Sequence, residues 1–322
     1  MPGIAVGVDV GGTKLAAGLV SGDGTVLDRV RHTTPAAGEG IVDLIVDLAT
    51  DFAQRHHMDA VPVGVGAAGL IDRDGTVRFA PNLPWQDFPL GASLRARLDG
   101  PVTVDNDANA AAWGEYRIGA GQDAHESLLM LTLGTGVGGG LVLSDRLVRG
   151  AGGMAGELGH ITVVEGGPPC PCGATGCLEA LASGTAIARI AGERIRAGDT
   201  RGGSALTDLH PDELTGKDVT IAAYDGDPLA IDVLATVGSW LGIGIASLVA
   251  ALDPEIVVVG GGAMQAGELV LGPAREAMAA RVVGGGHRDL PPIVPAALGD
   301  DAGLIGAALL ALAFRGGVDT VA

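Results

Sequence analysis

The chain predicts an α/β protein of two lobes built on one duplicated plan. Three observations carry that prediction. Hydrophobic residues fill 47% of the 322 positions while aromatics fill only 3%, so the apolar mass is Ala, Val, Leu and Ile, the mixture of sheets covered by helices. The 55 glycines have no collagen period and cluster in short runs after apolar segments, where tight turns or close approach to a ligand favour them. The order strand, glycine turn, strand near the N-terminus returns at residues 127–148, as an internal duplication would. The length itself exceeds what one core usually organises.

Taken in order, Ile4 to Val10 reads as a buried strand ending in Gly11-Gly12-Thr13-Lys14. Leu15 to Val20 follows as a second strand, and Gly22-Asp23-Gly24 is a hairpin signal into Thr25 to Val30. From Ile41, residues Leu44, Ile45, Leu48 and Phe52 recur at helical spacing. Val61 to Gly66 is another buried strand, Asp74-Gly75 a hairpin signal, and Pro101 to Val104 a strand. Asp105-Asn106-Asp107-Ala108-Asn109 then opens a helix over Ala110 to Tyr116. The opening pattern repeats as a strand over Ser127 to Leu133, a glycine turn over Gly134 to Gly140, and a strand over Leu141 to Leu143 that turns at Asp145-Arg146. A third strand-to-glycine junction joins Ile256 to Val259 with Gly260-Gly261-Gly262. Ala180 to Leu252 is mostly helical with a polar loop near Gly198 to Leu206, and a closing helix spans Ala302 to Phe314. We expect a small lobe of residues 1–106 plus 301–322, with the last helix packing back on it, and a larger lobe of residues 107–300.

Composition removes several function classes. A net charge of −18 argues against nucleic-acid binding, which needs clustered Lys and Arg. The longest apolar runs, Leu241 to Leu252 and Gly303 to Phe314, fall short of a membrane span. No signal peptide is visible, since Met1-Pro2-Gly3 runs straight into a strand, and three cysteines cannot form a fully paired disulfide framework. The cytoplasm is the expected compartment.

The most specific signal is His160 followed by Cys170, Cys172, Cys177 and Glu179. Three thiolates and one imidazole make a full tetrahedral zinc shell, and four protein ligands leave no open position, so a structural zinc in the loop 160–177 is expected. A redox C-x-C pair and buried, unliganded thiols are the rival readings. Glu157 and Glu179 flank the shell, and Glu157 and His160 are spaced to share one face of a helical turn. His160 is therefore placed to give one ring nitrogen to metal and the other to a substrate hydroxyl.

The glycine turns come next. Backbone N–H groups after a strand converge on an anion, and Thr13, Lys14 or Thr135 would add a donor. Each turn alone reads equally as an ordinary hairpin; Gly11-Gly12, Gly134-Thr135-Gly136 and Gly260-Gly261-Gly262 together point to a nucleotide. Asp9, among Val8, Val10 and Ile4, is costly in a buried strand without a role. Water-mediated contact with nucleotide-bound magnesium suits it, and a sheet-end carboxylate held by backbone donors is the rival reading. In Asp105-Asn106-Asp107 one residue is simply a helix N-cap. Asp107 is the candidate general base for an attacking hydroxyl, and Asn106 the holder of a neighbouring one. His32, His125, His210 and His287 read as surface residues, and His56 and His57 as a helix end.

Duplicated glycine hairpins, D-N-D-A-N, E-L-G-H and H-x9-C-x-C-x4-C-x-E together closely resemble the ROK family of bacterial sugar kinases and repressors, over essentially the whole chain and without departure at the motif positions. The resemblance implies an actin-like ATPase (ribonuclease H-like) fold of two α/β lobes with a ligand cleft between them, and ATP gripped by both hairpins. It implies Asp107 as base, Asn82, Asn106, Glu157, His160 and Glu179 as sugar contacts, and His160, Cys170, Cys172 and Cys177 as zinc ligands. Repressor members carry a helix-turn-helix before the first hairpin; Ile4 already lies in the first strand, which favours the kinases. Among these the chain looks most like the actinobacterial ATP-dependent glucokinases, which often form dimers or tetramers. Phosphorylation of glucose at the 6-hydroxyl, feeding glycolysis, is the expected reaction. A kinase for fructose, mannose, N-acetylglucosamine or N-acetylmannosamine and a non-catalytic sugar sensor are the alternatives.

Overall fold

A computed structural model describes residues 3–199 and 203–313. Met1 and Pro2, part of the expected polar loop at residues 200–202, and the end of the expected closing helix from Phe314 onward lie outside the described residues. The chain divides into two compact units, one of Met1–Leu128, Gly140–Gly156 and Ala297–Ala322, the other of Leu129–Gly139 and Glu157–Ala296.

The first unit opens with β1 (Ile4–Val10), β2 (Lys14–Ser21), β3 (Val26–Thr33), α1 (Gly38–Arg55) and β4 (Val63–Ala67). A small hairpin sheet of β5 (Leu70–Ile71), β6 (Val77–Phe79) and β7 (Gln86–Phe88) follows, then α2 (Leu90–Arg95), β8 (Val102–Asn106) and α3 (Asp107–Ile118). The main sheet has the order β3-β2-β1-β4-β8. Its first three strands are antiparallel neighbours, while β1, β4 and β8 run parallel. Every residue of β4 is buried, as expected for a strand with parallel neighbours on both sides and helices on its faces. Edge strand β3 instead alternates, and its Arg29 and Arg31 reach Asp301 at 3.0 and 3.4 Å. Helix α1 buries Ile41, Val42, Ile45, Leu48, Ala49 and Phe52, the stripe its spacing predicts.

Later in the chain come β9 (Ser127–Leu133), β10 (Val137–Leu143), β11 (Arg146–Leu147), α4 (Leu178–Ala182), α5 (Gly184–Arg196), α6 (Gly216–Tyr224) and α7 (Pro228–Leu252). They are followed by β12 (Ile256–Gly260), α8 (Glu268–Arg281), β13 (Ile293–Pro295) and α9 (Ala302–Ala313). The second five-stranded sheet has the order β11-β10-β9-β12-β13. Its glycine hairpin and flanking parallel strand repeat the plan of the first sheet.

The two units differ from the expected boundary after residue 106. Helix α3 packs on α9 and on β4, so it stays with the first unit. Two glycines of the sheet explain how closely α9 lies on it: a Cβ at Gly7 or Gly64 would overlap the carbonyls of Leu304 or Ala307. Helix α3 also starts earlier than its apolar pattern suggested, because Asn106 caps it and Asp107 is its first residue. The apolar run Leu241 to Leu252 is only the C-terminal half of α7, a helix of 25 residues. By length and composition α7 is long enough to cross a membrane, yet 61% of its most apolar window is buried inside the protein. It packs against α4, α5, α6 and α8.

Candidate active site

In the first unit, the parallel strands β1, β4 and β8 end at Val10, Ala67 and Asn106 in register, and the candidate chemistry sits at those ends. Asn106 Oδ1 accepts from the amides of Ala108 and Asn109 at 2.8 and 3.1 Å, while its Nδ2 donates to Gly69 O at 3.1 Å. Its oxygen is thus taken by the helix cap, and its amide nitrogen serves Gly69 O and the Asp107 carboxylate. Asp107 Oδ1 accepts from Ala108 N at 2.9 Å. Burial raises the Asp107 pKa above the ordinary carboxylate range, opposed by hydrogen bonds from Ala108, its own amide and Asn106. A carboxylate held in this way takes up a proton more readily than a solvated one, which suits a general base.

Asp9, on β1, faces the same place. Its carboxyl is pushed up to about 7, first by burial and then by the charge of Asp107. Gly303, the second residue of α9, has no room for a side chain because a Cβ there would come within 2.8 Å of that carboxylate. The first glycine turn is closed by Gly11 N donating to Lys14 O at 3.0 Å and by Thr34 Oγ1 donating to Gly11 O at 2.6 Å. Gly12, Thr13 and Lys14 are exposed. Asn82 is exposed too, and its backbone lies so near this turn that a Cβ at Gly12 would stand 2.7 Å from Asn82 O.

The second unit brings the Cys/His set together. One ligand atom from each of His160, Cys170, Cys172 and Cys177 lies within 4.8 Å of the others. Cys172 and Cys177 Sγ are 3.7 Å apart, too far for a disulfide and close to the spacing of two thiolates on one tetrahedral zinc. Cys170 and Cys177 are buried. The loop folds through paired backbone segments Thr162 with Cys177 and Pro169 with Thr175. Gly176 has φ of 70°, and a Cβ there would overlap Val164 O, so this position demands glycine. Burial holds the Cys170 thiol up to about 12.

Glu157 and His160 are joined by a 3-10 turn over Leu158–His160 instead of an α-helical one. His160 Nδ1 lies 3.6 Å from Cys170 Sγ, and His160 Nε2 lies 3.9 Å from Glu157 Oε2. The ring therefore presents one nitrogen to the thiols and the other to Glu157. The second and third glycine turns are neighbours, since a Cβ at Gly261 would overlap the Leu133 carbonyl. Gly261 has φ of 90°, which only glycine adopts freely. Glu179 Oε2 accepts from Val137 N at 3.0 Å, directly beside Gly136. His32, His125, His210 and His287 are exposed.

Two residues escaped sequence reading. Arg149 Nε donates to Asp105 Oδ2 at 2.6 Å, with both side chains largely buried. Asp105 also accepts from Asn109 Nδ2 at 2.9 Å and from Asn106 N at 2.8 Å, so it braces the corner that carries Asp107. The available signal was a lone arginine in the glycine-rich run before Glu157. Buried Glu115 accepts from the amides of Ala120, Ala297 and Leu298 at 2.8 to 3.0 Å, and nothing in the helical pattern marks it.

Comparison with known proteins identifies the family. The ROK family pattern matches residues 5–313. A glucokinase of Streptomyces coelicolor is 45% identical over 312 residues, covering 96% of this chain and 98% of that protein. The crystal structure of a ROK family glucokinase from Streptomyces griseus, in complex with glucose and AMPPNP, is 43% identical with a TM-score of 0.84, covering 97% of this chain and all of that one. A ROK hexokinase from Thermus thermophilus is 38% identical with a TM-score of 0.80, covering 96% of this chain and 98% of that one. The fold is accordingly the duplicated α/β fold of the actin-like ATPases.

Proposed function

We propose that this chain, which belongs to the ROK family, is an ATP-dependent glucokinase that transfers the γ-phosphoryl group of ATP to the 6-hydroxyl of glucose. The observation that carries this reading is Asp107 at the start of α3, its carboxyl pKa raised by burial, with Asp9 facing it at the end of a glycine-turn strand.

In this reading Asp107 orients the sugar hydroxyl and takes its proton as the oxygen attacks phosphorus. Positioning and electrostatics supply most of the rate in such transfers. The glycine turns at residues 11–14, 134–136 and 260–262 offer backbone N–H groups to the nucleotide. Asp9 would hold a water of the magnesium that accompanies ATP, and magnesium would neutralise phosphate charge. Asn82, Asn106, Glu157, His160 and Glu179 are the proposed sugar contacts.

The donor set and its spacing fit zinc, with His160, Cys170, Cys172 and Cys177 as the four ligands. Bound zinc would be a structural staple that fixes the loop between His160 and Glu179. A cytoplasmic homodimer or homotetramer completes the proposal. A panel of glucose, fructose, mannose, N-acetylglucosamine and N-acetylmannosamine in a coupled ADP-release assay tests the substrate. The expected result is kcat/KM highest for glucose by at least about tenfold, a difference of about 1.4 kcal/mol in transition-state binding. A higher value for any other sugar rejects the glucose assignment.

A further inference from the structure

We propose that Glu179 is the positioning residue of the second glycine turn, so that nucleotide affinity depends on a side chain that also faces the Cys/His loop. The inference rests on the kinase reading above and extends it, since it gives a proposed sugar contact a second task at the phosphate end.

The turn is pinned from one side. Gly134 O accepts from Gly184 N at 2.8 Å, and Thr135 O accepts from Thr185 Oγ1 at 2.7 Å. Gly134 N donates to Gly136 O at 2.9 Å, and Val137 N donates to Glu179 Oε2 at 3.0 Å. Among the described residues, the amides of Thr135 and Gly136 have no such partner. Two consecutive backbone N–H groups left over in a glycine turn are what an anion takes. Their direction is set by the bonds on either side, and the Glu179 bond is the one that comes from a side chain whose charge strengthens it.

Two further contacts locate this carboxylate, and a third involves the same turn. A Cβ at Gly136 would overlap Glu179 Oε2, so the carboxylate lies flat against the turn. Its other oxygen is 3.5 Å from Cys170 Sγ. The carbonyl of the same Val137 lies against Gly159, between Glu157 and His160, where a Cβ would overlap it. One peptide segment of the turn is thus gripped by Glu179 through its N–H and by the Glu157–His160 segment at its carbonyl. In this proposal the two free amides and the Cys/His loop are coupled through Glu179 and the Glu157–His160 segment.

The experiment is calorimetric titration of Mg-ADP, without sugar, into wild type, Glu179→Ala and Glu179→Gln matched for zinc content. Loss of a charge-assisted hydrogen bond predicts about tenfold weaker ADP binding in Glu179→Ala. Glu179→Gln keeps an acceptor oxygen for Val137 N and should stay within about threefold of wild type. Unchanged ADP affinity in Glu179→Ala overturns the proposal. Gly136→Ala gives an independent reading, because the new methyl meets the far end of a flexible side chain and displaces the carboxylate. It should weaken glucose binding about fivefold in the absence of nucleotide, and unchanged glucose binding counts against the coupling. Failure of wild type to bind ADP at all would reject the kinase reading itself, an outcome distinct from a wild-type-like Glu179→Ala.

Discussion

Asp9 and Asp107 face each other as two carboxylates in one partly buried place, and desolvation raises the pKa of both. The Asp9 pKa is raised from 3.8 to about 7 by burial and by Asp107. Between those two values the folded chain keeps a proton that the unfolded chain has released, so stability falls as pH rises through that window. Above about pH 7 the penalty is complete. Asp9→Asn removes it and should raise the melting temperature of the ligand-free protein at about pH 8 while leaving it near wild type at about pH 4. Equal shifts at both pH values, measured by differential scanning calorimetry, would contradict the burial account of Asp9. Asp9 and Asp107 could be singled out in the sequence because a carboxylate among Val and Ala is costly without a partner, although a sheet-end carboxylate or a helix cap would leave the same mark. The bond from Val137 to Glu179 was not legible, because it joins positions 42 apart that only the folded loop brings together. Asn106 was half legible: the cap motif is local, but its bond to Gly69 O depends on the register of β4 against β8.

At the scale of elements, the Cys/His loop is short, nearly devoid of regular structure and held by a few backbone bonds such as Cys170 N to Ala174 O at 2.8 Å. Loops of this kind lose little by opening unless something clips them. Cys172 is the exposed cysteine of the set, so Cys172→Ser removes a proposed ligand without opening a cavity. We expect about one zinc per chain in wild type and none in Cys172→Ser by atomic absorption, with a weaker glucose affinity in the variant. Wild type prepared without chelator and found free of zinc would overturn the staple. The loop was readable because its spacing is itself the chemistry. The start of α3 and the length of α7 were less so. Caps such as Asn106 and Asp227 set those boundaries, and Asp227 accepts from Leu229 N at 2.9 Å well before the apolar run begins.

For the whole molecule, the repeated glycine hairpin announced two sheets of like design, and the strand orders β3-β2-β1-β4-β8 and β11-β10-β9-β12-β13 repeat the plan. The division into units was less legible. Sequence proximity suggested that α3 begins the second half, whereas its packing on α9 keeps it with the first. That packing needs close backbone approach, since a Cβ at Gly306 would overlap the Ala110 carbonyl, and a single sequence does not reveal which glycine meets which helix. The account as a whole stands on one group, Asp107, performing proton removal in transfer from ATP to glucose. The most direct measurement compares kcat with Mg-ATP and glucose, and glucose affinity by calorimetry, in wild type and Asp107→Asn. Glucose affinity within a few-fold of wild type and a kcat lower by about a thousandfold or more is the predicted result, the size of effect expected when a positioned base is removed. Turnover within about tenfold of wild type in a folded, glucose-binding Asp107→Asn variant would contradict it.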